Sequence, residues 1–98
     1  MKVRFRLEAA SDVVSAREWY DQRRPGLGPE FFRSLEDTVD VIAERPDAFP
    51  EIAVGHRGAI LRRFPYVPYY RIDQNGIEVL ACLHSSRAPE IWHSRGEA

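Results

Sequence analysis

Arginines and tyrosines interleave between residues 62 and 71, as Arg62-Arg63, then Tyr66, Tyr69, Tyr70 and Arg71. Guanidinium forks pair with phosphate oxygens and rings stack on bases, so this pattern can contact RNA. Tyrosines also pack well across neighbouring strands, and Tyr66 and Tyr70 are read in that role. Tyr69 and Arg71 fit either reading. A second candidate lies where the apolar run Ile77 to Leu83 ends, at His84 and Arg87. The imidazole can carry a proton near neutral pH, or it can close the core with a hydrogen bond. Trp92 suits a lid on the core or an anchor in a partner.

Other chemistry finds less support. His56, His84 and His93 show none of the short spacings that bind zinc, and Cys82 with His84 supplies only two ligands. No metal or cofactor is expected. Glu36, Asp37 and Asp40 can supply a catalytic carboxylate pair in principle, but they read as a solvated helix face. Gly26-x-Gly28 follows a helix, whereas a phosphate loop follows a strand. Ser85 and Ser86 lack an acid placed to complete a triad with His84.

The elements that must position these residues follow from hydrophobic periodicity. Residues 2–7 alternate strictly, with Val3, Phe5 and Leu7 on one side and Lys2, Arg4 and Arg6 on the other, which is a half-buried strand with a cationic wet face. From about Ala10 the spacing becomes helical through Val13, Ala16 and Tyr20, until Arg23-Arg24-Pro25-Gly26 ends it. Pro29 and Glu30 suit the first turn of a second helix, whose stripe is Phe31, Leu35, Val39 and Ile42. So short a connection predicts an antiparallel hairpin of helices. Residues 46–56 read as a crossing loop. Strands are then expected at roughly 57–64, 66–72 and 77–84. Asn75-Gly76 marks the last hairpin, and Pro65 and Pro68 imply a bulge or bend. Residues 88–98 are expected to add a short turn of helix.

The expected fold is therefore α+β: an N-terminal strand, a two-helix hairpin, and a three-stranded antiparallel meander. The helices cover one face of a four-stranded sheet. A chain of 98 residues has room for one domain. Its 44% hydrophobic and 30% charged residues are those of a globular protein. The lone Cys82 allows no intrachain disulfide, and no apolar run resembles a signal peptide or a membrane span. A cytoplasmic protein is expected.

The net charge of −1 conceals a division along the chain. Residues 8–51 carry eleven acids against five arginines, while residues 52–95 carry six arginines against three acids. Lys2 is the sole lysine among 14 basic residues. Both basic stretches fall on the expected sheet, which predicts an acidic helical back and an open basic sheet front that grips a macromolecule.

Several ordered stretches resemble the RelE/ParE toxin superfamily. They are Ala16-Arg17-Glu18-Trp19-Tyr20, Gly26-Leu27-Gly28 with Phe31, Arg62-Arg63-Phe64-Pro65-Tyr66 with Tyr69-Tyr70-Arg71-Ile72, and Val79 through His84-Ser85-Ser86-Arg87 with Pro89 and Trp92. The likeness is to the ParE branch, often labelled plasmid-stabilisation proteins, and it spans nearly the whole chain. It implies a RelE-like fold and a type II toxin bound by a small, partly disordered antitoxin, ParD-like, in a hetero-oligomer. ParE-like members are described as inhibiting DNA gyrase; RelE-like members cut messenger RNA on the ribosome without a metal. For such an RNase the candidates are Arg62, Arg71, His84 and Arg87. For binding a target or antitoxin they are Arg4, Arg6, Arg63, Tyr69, Arg71, Arg87, Trp92 and Arg95. RelE-type enzymes tend to be strongly basic, which suits a polyanionic ribosome. A chain at −1 departs from that pattern, and the binding branch fits better. An inactive relative that still binds antitoxin is the remaining alternative.

Overall fold

The computed structural model describes residues 1–87; the expected C-terminal turn, Trp92 and Arg95 lie outside the described residues. Helix α1 (Leu7–Arg23) buries Ala9, Val13, Ala16 and Tyr20, one residue for each turn. It starts earlier than its periodicity suggests. The Arg6 N–H donates to Val79 O in the sheet, yet the Arg6 carbonyl already accepts the Ala10 N–H in helical fashion. The chain turns there, so Leu7 leaves the strand and stands 83% exposed.

Helix α2 (Leu27–Glu44) buries Gly28, Phe31, Leu35 and Ile42 against α1 and the sheet. The first N–H groups of a helix need acceptors from outside it. Asp21, in the last turn of α1, supplies one: its Oδ1 accepts from Gly26 at 3.0 Å and Gly28 at 3.1 Å. One carboxylate thus ties the end of α1 to the start of α2 and holds the hairpin closed.

Five strands follow the order β1-β5-β4-β3-β2 across the sheet: β1 (Val3–Phe5), β2 (Glu51–Ala53), β3 (His56–Gly58), β4 (Tyr66–Asp73) and β5 (Gly76–His84). The meander from β2 to β5 is antiparallel, but β1 joins β5 in parallel, so the sheet is mixed and has one strand more than expected. The crossing loop over 46–56 contributes that extra strand. The expected strand over 57–64 shrinks to the end of β3, because Ala59, Leu61 and Phe64 turn inward to the core beneath the helices.

The irregularity expected at Pro65 and Pro68 falls instead on β5, as a bulge opposite Tyr69 and Tyr70. Tyr69 faces Ala81 and Tyr70 faces Val79, so Leu80 is the extra residue on β5 where the register shifts. Pro68 sits inside the sheet at no cost to the β4–β5 ladder. Its carbonyl accepts from Ala59 at 3.4 Å, so its missing N–H also points away from β5. The three-residue β1 covers β5 only as far as Val79. Beyond it α1 takes over, and Asp12 Oδ2 accepts the Cys82 N–H at 3.0 Å.

Both described helices pack on the face bearing Tyr66, Tyr70, Ile77, Val79 and Cys82. Tyr20, Phe31, Phe64 and Tyr66 form its aromatic centre, with Tyr20–Phe64 centroids 4.9 Å apart and Phe31–Phe64 5.5 Å apart. Cys82 is buried beside it, and desolvation, with the Asp12 charge second, pushes its thiol up from 9.0 to about 12. The unfolded thiol ionises first, so this group favours the native state below pH 9 and that advantage is lost as pH climbs towards 12. At pH 8 iodoacetamide is expected to alkylate Cys82 only after unfolding; fast labelling of native protein would contradict this burial.

Candidate functional site

The face of the sheet opposite the helices carries Arg4 and Arg6, as alternation predicts, together with Arg71, but it is not an open cationic surface. Arg4 Nη2 lies 2.6 Å from Asp73 Oδ2. Glu78 receives Arg6 Nε at 3.2 Å on one oxygen and Arg71 Nε and Nη2 at 3.1 and 2.8 Å on the other. The register explains the assembly, since Arg4 and Arg71 both stand opposite Glu78 on β5. The Arg4 guanidinium and the Asn75 N–H hold Asp73 below the usual carboxylate range. Beside this ladder lies an apolar cluster of Val67, Tyr69, Leu80, Ala81 and Leu83. Tyr69 is only 7% exposed, so its ring is not presented for stacking. The expected cationic front is corrected to a charge-paired ladder beside a second buried cluster, because two acids in the basic segments align with the arginines.

His84 and Arg87 lie at the other end of β5, around a cleft of about 290 Å³ shared with Asp12, Ser15, Trp19 and Tyr66. The His84 ring meets Tyr66 edge-on at 5.5 Å. Its Nδ1 accepts the Ser86 N–H at 3.1 Å, with the Ser86 hydroxyl 2.8 Å away. A nitrogen that accepts carries no proton in the neutral ring, so the proton sits on Nε2. Burial, followed by the neighbouring Cys82, raises the Tyr66 phenol above its ordinary value.

Arg62 and Arg63 lie in neither place. They project from the segment between β3 and β4 towards α2, into an open depression of about 630 Å³ also lined by Gly26, Glu30, Arg33, Ser34 and Asp37. Glu30 is gripped from two sides, by Arg63 Nη2 at 2.9 Å and Arg24 Nη2 at 3.1 Å. These two bonds, that from Arg63 first, draw its carboxyl below the ordinary range. The Ser34 hydroxyl donates to the Arg62 carbonyl at 2.8 Å and pins the segment to α2.

The four residues proposed for RNA cleavage therefore do not converge. Arg71 points to the face away from the helices, Arg62 to the α2 flank, and only His84 and Arg87 share a cleft. Sequence reasoning gave Glu30 only a place in the first turn of α2, and it foresaw none of the structuring contacts of Asp12, Asp21, Glu30 and Glu78. Glu78 had a readable signal, being the lone charge within the run Ile77 to Leu83; the others resemble any solvated helix carboxylate. A further feature is an apolar groove of about 340 Å³ between α1 and α2, lined by Phe5, Val13, Val14, Phe32, Leu35 and Val39. Among the described residues, no group of three or more His, Cys, Asp or Glu side chains could hold a metal. No described helix is long and apolar enough to cross a membrane.

A helical hairpin on one face of a short mixed sheet is a fold found in toxin–antitoxin proteins. The solved structure described as "Chromosomal ParDE TA system from P. aeruginosa" shares it, with a TM-score of 0.74 over 86% of this chain and 95% of that one, at 19% identity. The model of the family "ParE toxin of type II toxin-antitoxin system, parDE" matches residues 3–89, and the chain belongs to that family. No curated protein sequence matches it.

Proposed function

We propose that this ParE-family toxin acts in the cytoplasm by binding DNA gyrase, and that a small, partly disordered ParD-like antitoxin neutralises it within a hetero-oligomer. The observation that carries the binding mechanism is the separation of Arg71, Arg62 and His84. General acid–base cleavage needs its groups within hydrogen-bond reach of one phosphodiester, whereas a poison that works by contact needs only surfaces. Neutralisation by an antitoxin is supported by the family description and by the apolar groove between α1 and α2. That groove suits the apolar stripe of an amphipathic helix that folds as it binds.

The test is induction of the chain alone in bacteria, with purified protein assayed for gyrase supercoiling and for codon-phased mRNA cuts. Arrested growth, blocked supercoiling and intact mRNA are expected, with growth restored by co-expression of a ParD-like antitoxin. Codon-phased cleavage that disappears in His84→Ala would replace this reading with the ribosome-dependent RNase. Unimpaired growth would replace it with the inactive relative.

A further inference from the structure

The arginines on the α2 flank make a surface separate from both the sheet face opposite the helices and the cleft at the end of β5. Arg33, Arg62 and Arg63 line one depression, with Arg24 paired to its Glu30, against two carboxylates, Glu30 and Asp37. Glu30 is already engaged, and it holds the Arg24 and Arg63 forks at the rim while their side chains stay 60% and 69% exposed. Among the described residues, the Arg33 and Arg62 side chains form no ion pair or hydrogen bond, and both are exposed.

Unpaired, exposed guanidiniums beside pre-positioned ones match the oxygens of an anionic polymer, because the planar fork bonds phosphate bidentately. The lining decides which polymer. Stable protein partners need an apolar centre to their interface, and this depression has no apolar side chain in its lining. Base readout by stacking needs an exposed ring, yet no ring lines the depression, and Phe64, whose centroid is 5.7 Å from the Arg63 guanidinium, is buried. What remains is contact with a phosphodiester backbone, without sequence preference.

The geometry points to this flank as a nucleic-acid backbone site, with Arg33 and Arg62 as its principal phosphate ligands and Arg24 and Arg63 held at its rim by Glu30. Two or three phosphate contacts give weak, salt-sensitive binding, whose affinity falls roughly 10- to 40-fold between 50 and 200 mM salt.

The test is fluorescence anisotropy of the full chain with a labelled 20-base-pair DNA of arbitrary sequence, titrated across that salt range. The Arg33→Ala/Arg62→Ala double variant is expected to keep its melting temperature, lose about tenfold or more in affinity, and shallow the salt slope by about 2. Arg45→Ala, which removes the same kind of charge at the far end of α2, is expected to bind nearly as the parent does. No binding at 50 mM salt would overturn the proposal, as would an unchanged double variant. An equal loss in Arg45→Ala would overturn it too, leaving only bulk charge, and poly-glutamate bound as tightly as DNA would assign the surface to acidic polypeptides. Gyrase is absent from every arm, so failure here leaves the proposed target untouched, and failure of the target leaves this surface untouched.

Discussion

Phe31→Ala is expected to cost about 3–5 kcal/mol of folding stability, the range for truncating a buried phenylalanine. Phe31 has no exposed surface and lies against Tyr20, Phe64 and Tyr66, with ring centroids 5.3, 5.5 and 5.3 Å away. These rings come from α1, α2, the segment before β4, and β4 itself. The void cannot close without moving elements that are fixed elsewhere, by Asp21 at the helix hairpin and by the β4–β5 ladder. For a domain whose whole stability is of order 5–15 kcal/mol, such a loss removes a large share of it. It corresponds to a melting temperature lower by roughly 15–30 °C at this chain length. Calorimetry or urea unfolding reads it directly. A loss under about 1 kcal/mol would mean that the rings do not form the core described.

Gly76→Ala is expected to be the next most damaging exchange, at about 3 kcal/mol, and to act on β1. Gly76 has φ +118°, a conformation that strains any residue with a side chain, and a Cβ there would lie 2.6 Å from the Lys2 carbonyl oxygen. That oxygen accepts the Ile77 N–H at 2.9 Å. The methyl therefore forces β1 away from β5 and loosens the pairing of Arg4 with Asp73 and of Arg6 with Glu78. Gly55 separates the two causes, because it too has positive φ, +76°, yet a Cβ there meets nothing within 4 Å. Gly55→Ala should show the strain alone, about 1 kcal/mol. Hydrogen exchange supplies a local readout, with the Arg6 and Ile77 amides losing protection in Gly76→Ala and keeping it in Gly55→Ala. Equal costs at the two glycines would show that the close approach to Lys2 does not matter.

Much of this architecture was legible from local pattern. The stripe Ala9, Val13, Ala16, Tyr20 is buried as its spacing requires, since a helix returns the same face to the core about every 3.6 residues. So are Phe31, Leu35 and Ile42 of the second stripe, whose Val39 is only partly buried at the groove between the helices. Alternation along residues 2–7 likewise assigned Arg4 and Arg6 to one side, although Leu7 leaves the strand, and Asn75-Gly76 located the last hairpin. The family was legible as well, from ordered motifs that the match over residues 3–89 bears out.

What the amino-acid order alone determined was the buried side of each helix and of β1, because that depends only on a local repeat; on β4 it left the sides of Tyr69 and Arg71 open. Which residues then face one another was decided by the tertiary structure. Nothing near Glu78 in sequence reveals that β1 will arrive in parallel from the far end of the chain and place Arg6 on the carboxylate that also holds Arg71. Charge counted along the chain therefore overstated the basicity of the sheet, since ion pairs form across strands. It also missed the flank of α2, where arginines from the helix hairpin and from residues 62–63 gather around Glu30. That convergence depends on the chain leaving β3 at Gly58 and turning beneath the helices, a path set by burying Leu61 and Phe64 and marked by no periodicity.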